Sequence, residues 1–384
     1  MTISGSNRPL WDDAEAPAYA PLRGEVRADV CVVGLGGSGL SCVREAQRLG
    51  ARVVGLDAGR VGGGAAGRNG GFLLAGLAPF HHDAVARFGR EPACRLYALT
   101  VDEIDRIIQA TPETVHLTGS LRIAESDDEH ADCAAQYAAL RADGFEVEEY
   151  EGPEGRGLLF PGDGSFQPLA RCRALAHAAS REGASLHEGS EALEIEAGRV
   201  RTAHGLVRCT HVIVAVDGGL ERLVPELAGA VRSARLQMLA TAPTAEIRVP
   251  RPVYARWGYD YWQQRPDGSI ALGGGRDRAG DVEWTYDATP TAEVQALLEH
   301  RLREMLGVRA PVTHRWGAIV GFTPNGLPVC ERVRGGVWAI GGYSGTGNVV
   351  GALLGRGVAH QALTGDDAIV RAFSDAALGP AARV

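Results

Sequence analysis

Lysine is missing from the whole chain of 384 residues, so all 39 basic side chains are arginines. That excludes a pyridoxal Schiff base, a lysine nucleophile and a phosphate-loop lysine. An excess of basic charge is missing too. The formal net charge is -8, against 47 aspartates and glutamates, which argues against an electrostatic grip on nucleic acid or anionic lipid. No apolar run approaches the ~18 residues of a membrane span. The opening MTISGSNRPLWDDAEAPAYAPL has no basic region followed by an apolar core, so a cytoplasmic location without a membrane partner is expected. Seven cysteines (Cys31, Cys42, Cys94, Cys133, Cys172, Cys209, Cys330) are scattered. They form no C-x-x-C pair and have no histidines at ligand spacing beside them, which predicts reduced thiols and no metal site. No Ser–His–Asp order, catalytic carboxylate pair or Cys–His arrangement stands out, so nothing points to a hydrolase.

What is present is glycine, 52 residues of it, and its placement is informative. Apolar runs bounded by glycine predict strands at about 29–34, 52–57, 185–196, 199–209, 211–216 and 336–341. Helical periodicity predicts helices at about 38–49, 94–110, 127–142, 168–182, 291–306 and 347–363. The middle stretch VYARWGYDYWQQRPDGSIALGGG carries RPDG between two strand-like runs, an antiparallel hairpin signature foreign to a doubly wound sheet. The expected class is α/β (α+β), a nucleotide domain assembled from separated segments and interrupted by a domain built on an antiparallel sheet. The expected division is 1–80, 155–228 and 311–384 for the first, 81–154 and 229–310 for the second.

GLGGSGLSCVREAQRLGARVVGLDAG follows the apolar run DVCVV. Gly34 permits a tight turn, Gly36 lets the backbone approach a pyrophosphate, and Gly39 lets the helix pack close to the strand. The helix from Ser38 aims free N–H groups and its positive dipole end at the phosphates. Asp57 ends the second strand, where its carboxylate can accept a ribose hydroxyl. This fingerprint does not separate NAD from FAD. The next stretch, AGRVGGGAAGRNGG, is a second glycine-rich loop that a nicotinamide domain does not need and an extended flavin nucleotide does.

In these segments the chain resembles the D-amino-acid-oxidase-like FAD-dependent oxidoreductases, and among them the γ-glutamylputrescine oxidase group. The resemblance runs from LRGEVRADVCVVGLGGSGLS and DAGRVGGGAAGRNGG through RTAHGLVRCTHVIVAVDGG and WGAIVGFTPNGLPVC to GVWAIGGYSGTGNVVGALLGRGVAH, nearly the whole chain. It implies a Rossmann-type FAD-binding domain, a substrate domain whose sheet roofs the flavin, and oxidation of a C–N bond of a small amine or amino acid. The hydride would go to flavin N5, the imine would hydrolyse, and oxygen would be the acceptor. The residues expected at FAD are Gly34, Gly36, Ser38, Gly39, Asp57, Ala58, Gly59, Arg60, Gly64, Ala65, Arg68, Asn69, Gly70, Gly71, Ala192, Ala215, Gly342, Tyr343, Gly345, Thr346, Gly347 and Asn348. Backbone N–H groups of the last segment would face the negative charge of the reduced pyrimidine.

Departures from the family shape the remaining expectations. Relatives that tether FAD do so through a cysteine where this chain has Ala318, so noncovalent FAD is expected. Asn348 and Val349 stand where some relatives clamp a substrate carboxylate with lysine, which disfavours α-amino acids. The lysine that those relatives place over the flavin, on the strand matching GSIALGGG, is missing too. Positive charge to promote reaction with oxygen must then come from Arg68, Arg256 or the reduced flavin's own surroundings, or the enzyme is a dehydrogenase; Arg68 is the expected catalytic residue. Asn325 replaces the usual acid of the T-P-D-G segment. Strand alternation puts Trp257, Tyr259 and Tyr261 on one face, which with Tyr343 gives an aromatic substrate wall suited to an amine. An equally available reading is plain core packing. His81 and His82 are expected to start a helix. Two other functions stay open: a flavin dehydrogenase of a non-amine substrate with another electron acceptor, and a flavin-binding protein without turnover.

Overall fold

The computed structural model describes residues 7–378. Strand Val30–Val33 is apolar and wholly buried, and it ends where Gly34 takes a φ of +98°. Gly36 then caps helix Gly37–Arg48 from extended backbone. Strand Val53–Leu56 returns parallel to the first, with Val30 opposite Val53. The complete sheet has six strands in the order Ser185–His187, Val53–Leu56, Val30–Val33, His211–Val214, Val337–Gly341 and Val329–Arg334. All neighbours are parallel except the last pair.

Both faces of this sheet are covered, which is why its strands read as continuous apolar runs. Leu40, Val43 and Ala46 of the first helix, Leu175 of helix Pro168–Arg181 and Leu353 of helix Val350–Thr364 share one core with Val30 and Val32. On the other face Val33, Leu56 and Val214 pack against Leu22, Val200 and Val207. Those come from or adjoin a small sheet of Gly24–Arg27, Gly205–Arg208, Arg199–Arg201 and Glu194–Glu196.

The second large sheet has eight strands: Val312–Phe322, Arg232–Thr241, Ile270–Gly274, Asp260–Gln264, Val253–Ala255, Ser120–Ala124, Gly155–Phe160 and Glu148–Gly152. The RPDG hairpin closes as expected, with Arg265 N–H donating to Ser269 O at 2.8 Å. Two expected boundaries shift. Gly155–Phe160 and Val312–Phe322 were expected in the nucleotide half and lie in this sheet, paired with Ser120–Ala124 and Arg232–Thr241. In the other direction, helix Arg90–Ala110 was expected with the substrate half. Its Leu96 joins the core of the nucleotide sheet. The single strands expected at 185–196 and 199–209 are each broken in two. Glu188 breaks the first, its carboxylate taken by the N–H groups of Tyr19 and Val61, and a turn at Thr202–Gly205 breaks the second. The helix expected at 291–306 runs from Ala292 to His300 and ends in a wider turn at Arg301–Met305. Among the described residues no helix is long and apolar enough to cross a membrane.

Candidate active site

Residues of both large sheets line one cavity of about 820 Å3. At its nucleotide end the helix start Gly36–Ser38 meets the strand-end residues Gly34, Asp57, Ala58 and Ala215, with Ala192 alongside. Gly39 does not line the cavity. A β-carbon there would sit 1.8 Å from Gly34 O, so its role is the close helix–strand approach expected of it. Asp57 accepts Leu35 N–H on Oδ2 and Gly59 N–H on Oδ1, both at 2.8 Å, and burial raises its pKa. Those bonds hold the carboxylate at the cavity wall with lone pairs to spare. Gly59 and Arg60 do not line the cavity, since the chain turns outward after Ala58 and Arg60 is exposed.

Arg171, which the sequence reading missed, supplies the charge at this end. It is 4% exposed and lines the cavity, and a β-carbon on Gly37 would lie 3.4 Å from its Nη1. It has no ion-pair partner among the described residues, and its Nε is buried without a hydrogen bond. Burial lowers its pKa. A buried unpaired guanidinium is costly, and beside a helix N-terminus it fits a pyrophosphate. Gly64 and Gly345 face the same space, and a β-carbon on either would meet no atom within 4 Å. The donors and the cradle therefore fit a flavin dinucleotide.

The second glycine loop continues along the cavity through Gly64, Ala65, Arg68, Asn69 and Gly70. Asn69 organises it, donating to Ala65 O and Ala66 O and accepting Gly71 N–H at 2.8 Å. Gly71, with φ +69°, forms the turn and stays outside the cavity. Opposite lie Tyr343, Gly345, Thr346, Gly347 and Asn348. Asn348 donates to Asn69 Oδ1 at 3.1 Å and Phe72 O at 2.8 Å, so its amide joins the two loops. Gly342 shapes the preceding turn at φ +67° and does not line the cavity. Asp217, also missed, accepts the N–H groups of Tyr343 at 3.0 Å and Gly321 at 3.2 Å, and burial pushes its carboxyl up to about 6. Its position at the end of a parallel strand, where ligands of such sheets gather, was the available signal. Ala318, at the position of the family's tether, lines the cavity and is buried.

Several expected roles change. Arg68 lines the cavity, but its Nε donates to Gly317 O at 2.8 Å and its Nη2 to Asn7 O at 2.6 Å and Asn7 Oδ1 at 2.5 Å. A two-bond fork from Arg68 to a ligand has to break one of these. Arg256 lies outside the cavity, paired with Asp260 at 2.9 Å and with Asp277. The strand alternation expected at 256–262 fails because Arg256, Trp257 and Gly258 form a turn with φ of +53°, +54° and +85°. Tyr259 is therefore at the surface, 38% exposed and outside the cavity, while Trp257 lines the mouth at 44% exposure. Tyr261 does face the cavity, its ring against Gly70 and Gly273 and edge-on to Phe72 at 5.9 Å. Tyr343 lines the cavity with its ring packed in the nucleotide core against Gly347, so it is no part of the aromatic wall.

Helix His81–Phe88 begins at the histidine pair as expected. His81 also lines the cavity, and its Nε2 lies 2.7 Å from Asp143 Oδ2. His81, Cys94 and Asp143 form one group at metal-ligand distances, and His82, Asp83 and Asp132 another. In the first, Asp143 is already taken by His81 and Arg90, and burial and Asp143 push the Cys94 thiol up to about 11. All seven cysteines are free.

The model of the family described as "FAD dependent oxidoreductase" (DAO) matches residues 29–361. Over 92% of its length the chain is 28% identical to the probable oxidoreductase OrdL of Rhizobium meliloti, covering 88% of it. It is also 28% identical to gamma-glutamylputrescine oxidoreductase of Escherichia coli, across 94% of this chain and 90% of that one. Among solved structures, glycine oxidase from Geobacillus kaustophilus superposes with a TM-score of 0.74 at 21% identity, over 89% of this chain and 96% of the other. L-proline dehydrogenase from P. horikoshii gives 0.74 at 19% identity, over 91% and 96%. These two show a shared fold.

Proposed function

The chain belongs to the DAO family of FAD-dependent oxidoreductases, and we propose that it oxidises a C–N bond of a small amine or amino acid, with oxygen as the electron acceptor. One observation carries the reading: a single cavity joins the dinucleotide cradle around Gly36 and Arg171 to an aromatic pocket containing Tyr261 and Trp257. FAD, when bound, supplies the hydride acceptor. The chain's own part is to hold and orient. Gly36–Ser38 and Arg171 take the pyrophosphate, and Asp57 takes the adenosine ribose. The amides of Gly345, Gly347 and Asn348 would face the pyrimidine, that of Thr346 being taken by Tyr343 O. Ala318 offers no thioether, so the cofactor is held noncovalently. Helices and strands around the six-stranded sheet form the nucleotide part, and the eight-stranded sheet forms the substrate part. Tyr261 and Trp257 receive the amine, and the resulting imine leaves to hydrolyse in water.

A dehydrogenase reading is favoured by the engagement of Arg68. Arg68 and Arg171 are the arginines lining the cavity among the described residues; Arg171 is given to the pyrophosphate and the Nε and Nη2 of Arg68 to Gly317 and Asn7, so neither is reserved for promoting reaction with oxygen. Anaerobic bleaching of the holoprotein by a panel of amines and amino acids tests the amine reading, and failure of every member defeats it. Peroxide formed on admitting air then separates oxidase from dehydrogenase.

A further inference from the structure

The cavity includes, beside Phe72 and Tyr261, a pocket that the mechanism above leaves unused. Asp163 lines it and is 4% exposed. Its Oδ1 accepts Ala75 N–H at 3.0 Å and its Oδ2 accepts the Ser120 hydroxyl at 2.7 Å. No cation pairs with it among the described residues. Arg122, a buried cation on the strand that begins at Ser120, is spent on Asp132 and Gln136 and lies 3.7 Å over the Phe80 ring. Asp217, a half-buried carboxylate on the cavity wall, is turned to backbone amides of the 321 and 343 segments. Asp163 keeps a free lone pair on each oxygen.

Two phenols share this pocket. Tyr97 and Tyr254 line the cavity, and no group of the described protein is hydrogen-bonded to either hydroxyl. Burial raises the pKa of both; the Asp163 charge adds to it at Tyr97, and at Tyr254 Arg122 opposes it more than Asp163 adds. The phenols are therefore neutral, close to the carboxylate, and able to present oxygen lone pairs and ring faces to a cation. Gln136 completes the wall. The position of the pocket follows from its attachments. Asp163 is tied to Ala75, just past Phe72, whose carbonyl Asn348 holds beside the second glycine loop. The pocket thus adjoins Phe72 and Tyr261, with which Tyr97 and Tyr254 share one apolar cluster.

Resting on the amine reading above, we propose that Asp163, with Tyr97 and Tyr254, forms a distal subsite for a second cationic nitrogen, so that the substrate is an amine chain carrying an ammonium group at the end remote from the reacting carbon. Burial pushes the Asp163 carboxyl up to about 7, as expected of an acid lacking its counter-ion. A bound ammonium supplies that counter-ion. A distal carboxylate is repelled, and a distal methyl leaves the carboxyl unpaired.

The test uses the FAD-loaded protein and four primary amines of equal chain length ending in methyl, hydroxyl, ammonium or carboxylate. Flavin spectral perturbation reads binding, and steady-state kinetics separates KM from kcat. The wild type is expected to favour the ammonium-ended chain over the methyl-ended one by at least about 10-fold in kcat/KM, mostly through KM. Asp163→Asn can still accept Ala75 N–H on its oxygen and donate its amide to the Ser120 hydroxyl, and should bring that ratio close to one. Tyr97→Phe retains the ring and should lower the ratio by about threefold. It serves as the measurement if Asp163→Asn fails to bind FAD. A wild-type preference for methyl or carboxylate overturns the proposal, and so does a ratio unchanged in the variants. If no amine perturbs the flavin, the amine reading falls and the subsite with it. If the amines react without regard to their far end, only the subsite falls.

Discussion

Gly36 and Gly39 stand three residues apart and are glycines for different reasons, which a pair of substitutions separates. At Gly36 the backbone (φ −85°, ψ −168°) suits any residue, and a β-carbon would meet only Ala66 Cβ, at 3.0 Å. The rest of a valine side chain then projects into the dinucleotide cradle. The apoprotein should lose no more than about 1 kcal/mol from the N-cap change and the tight contact. Flavin binding should fall by at least about three decades, worth about 4 kcal/mol. A β-carbon on Gly39 would instead lie 1.8 Å from Gly34 O and 2.9 Å from Gly34 C. Helix and strand must separate by more than an ångström. The cost is the upper range of overpacking, about 3 kcal/mol or more, only partly offset by about 1 kcal/mol of alanine helix propensity. Melts of the apoproteins with and without FAD, together with flavin-to-protein ratios, provide the assay. FAD at a thousandfold above its Kd should stabilise the wild type by about 4 kcal/mol and leave Gly36→Val unmoved from a near-wild-type apo value. Gly39→Ala should start lower. Full flavin occupancy in Gly36→Val, or an apo Gly39→Ala as stable as wild type, refutes the reasoning.

Arg171→Met should weaken FAD binding by about two decades or more while leaving the apoprotein as stable or more so, because an unpaired buried cation is removed. A less stable apoprotein with unchanged FAD affinity contradicts that assignment. Because the Asp163 carboxyl rises from 3.8 to about 7, the folded substrate-free protein holds this proton more tightly than the unfolded chain. The stability contribution is therefore full near pH 4 and falls as pH rises to about 7, by up to about 4 kcal/mol. Asp163→Asn should gain on the wild type across that window in denaturant titrations, and parallel pH profiles would show the carboxyl to be unperturbed. Acid precipitation should leave the flavin in the supernatant, since Ala318 cannot form a thioether. Flavin retained in the pellet would reveal another tether.

The nucleotide half was legible because its demands are local. Gly34 must take positive φ, Gly39 must lack a β-carbon, and Asp57 must end a strand, so the residues at those positions announce a strand–turn–helix–strand unit without reference to the rest of the chain. The hairpin at RPDG was legible for the same reason. The aromatic wall was not. Alternation predicts a face only while the strand continues, and the turn at Arg256–Gly258 is held by bonds to other elements, Trp257 N–H donating to Glu129 and Arg256 pairing with Asp277. The domain boundaries failed similarly. Gly155–Phe160 and Val312–Phe322 have strand character, but which sheet receives a strand is settled by its partners.

The charges that matter most at the site were invisible in the sequence for a further reason. Arg171 and Asp163 sit in stretches, QPLARC and PGDGSF, that read as a helix start and a turn. Their importance comes from what the fold withholds from them, a counter-ion, and only the tertiary structure shows which of 39 arginines and 47 acids are left unpaired on a cavity wall. The sequence by itself determined a strand–turn–helix–strand unit of the dinucleotide-binding kind and which of its glycines the backbone requires, because steric permission is written residue by residue. The tertiary structure decided what faces that unit, because burial and charge pairing depend on every element that closes around the site.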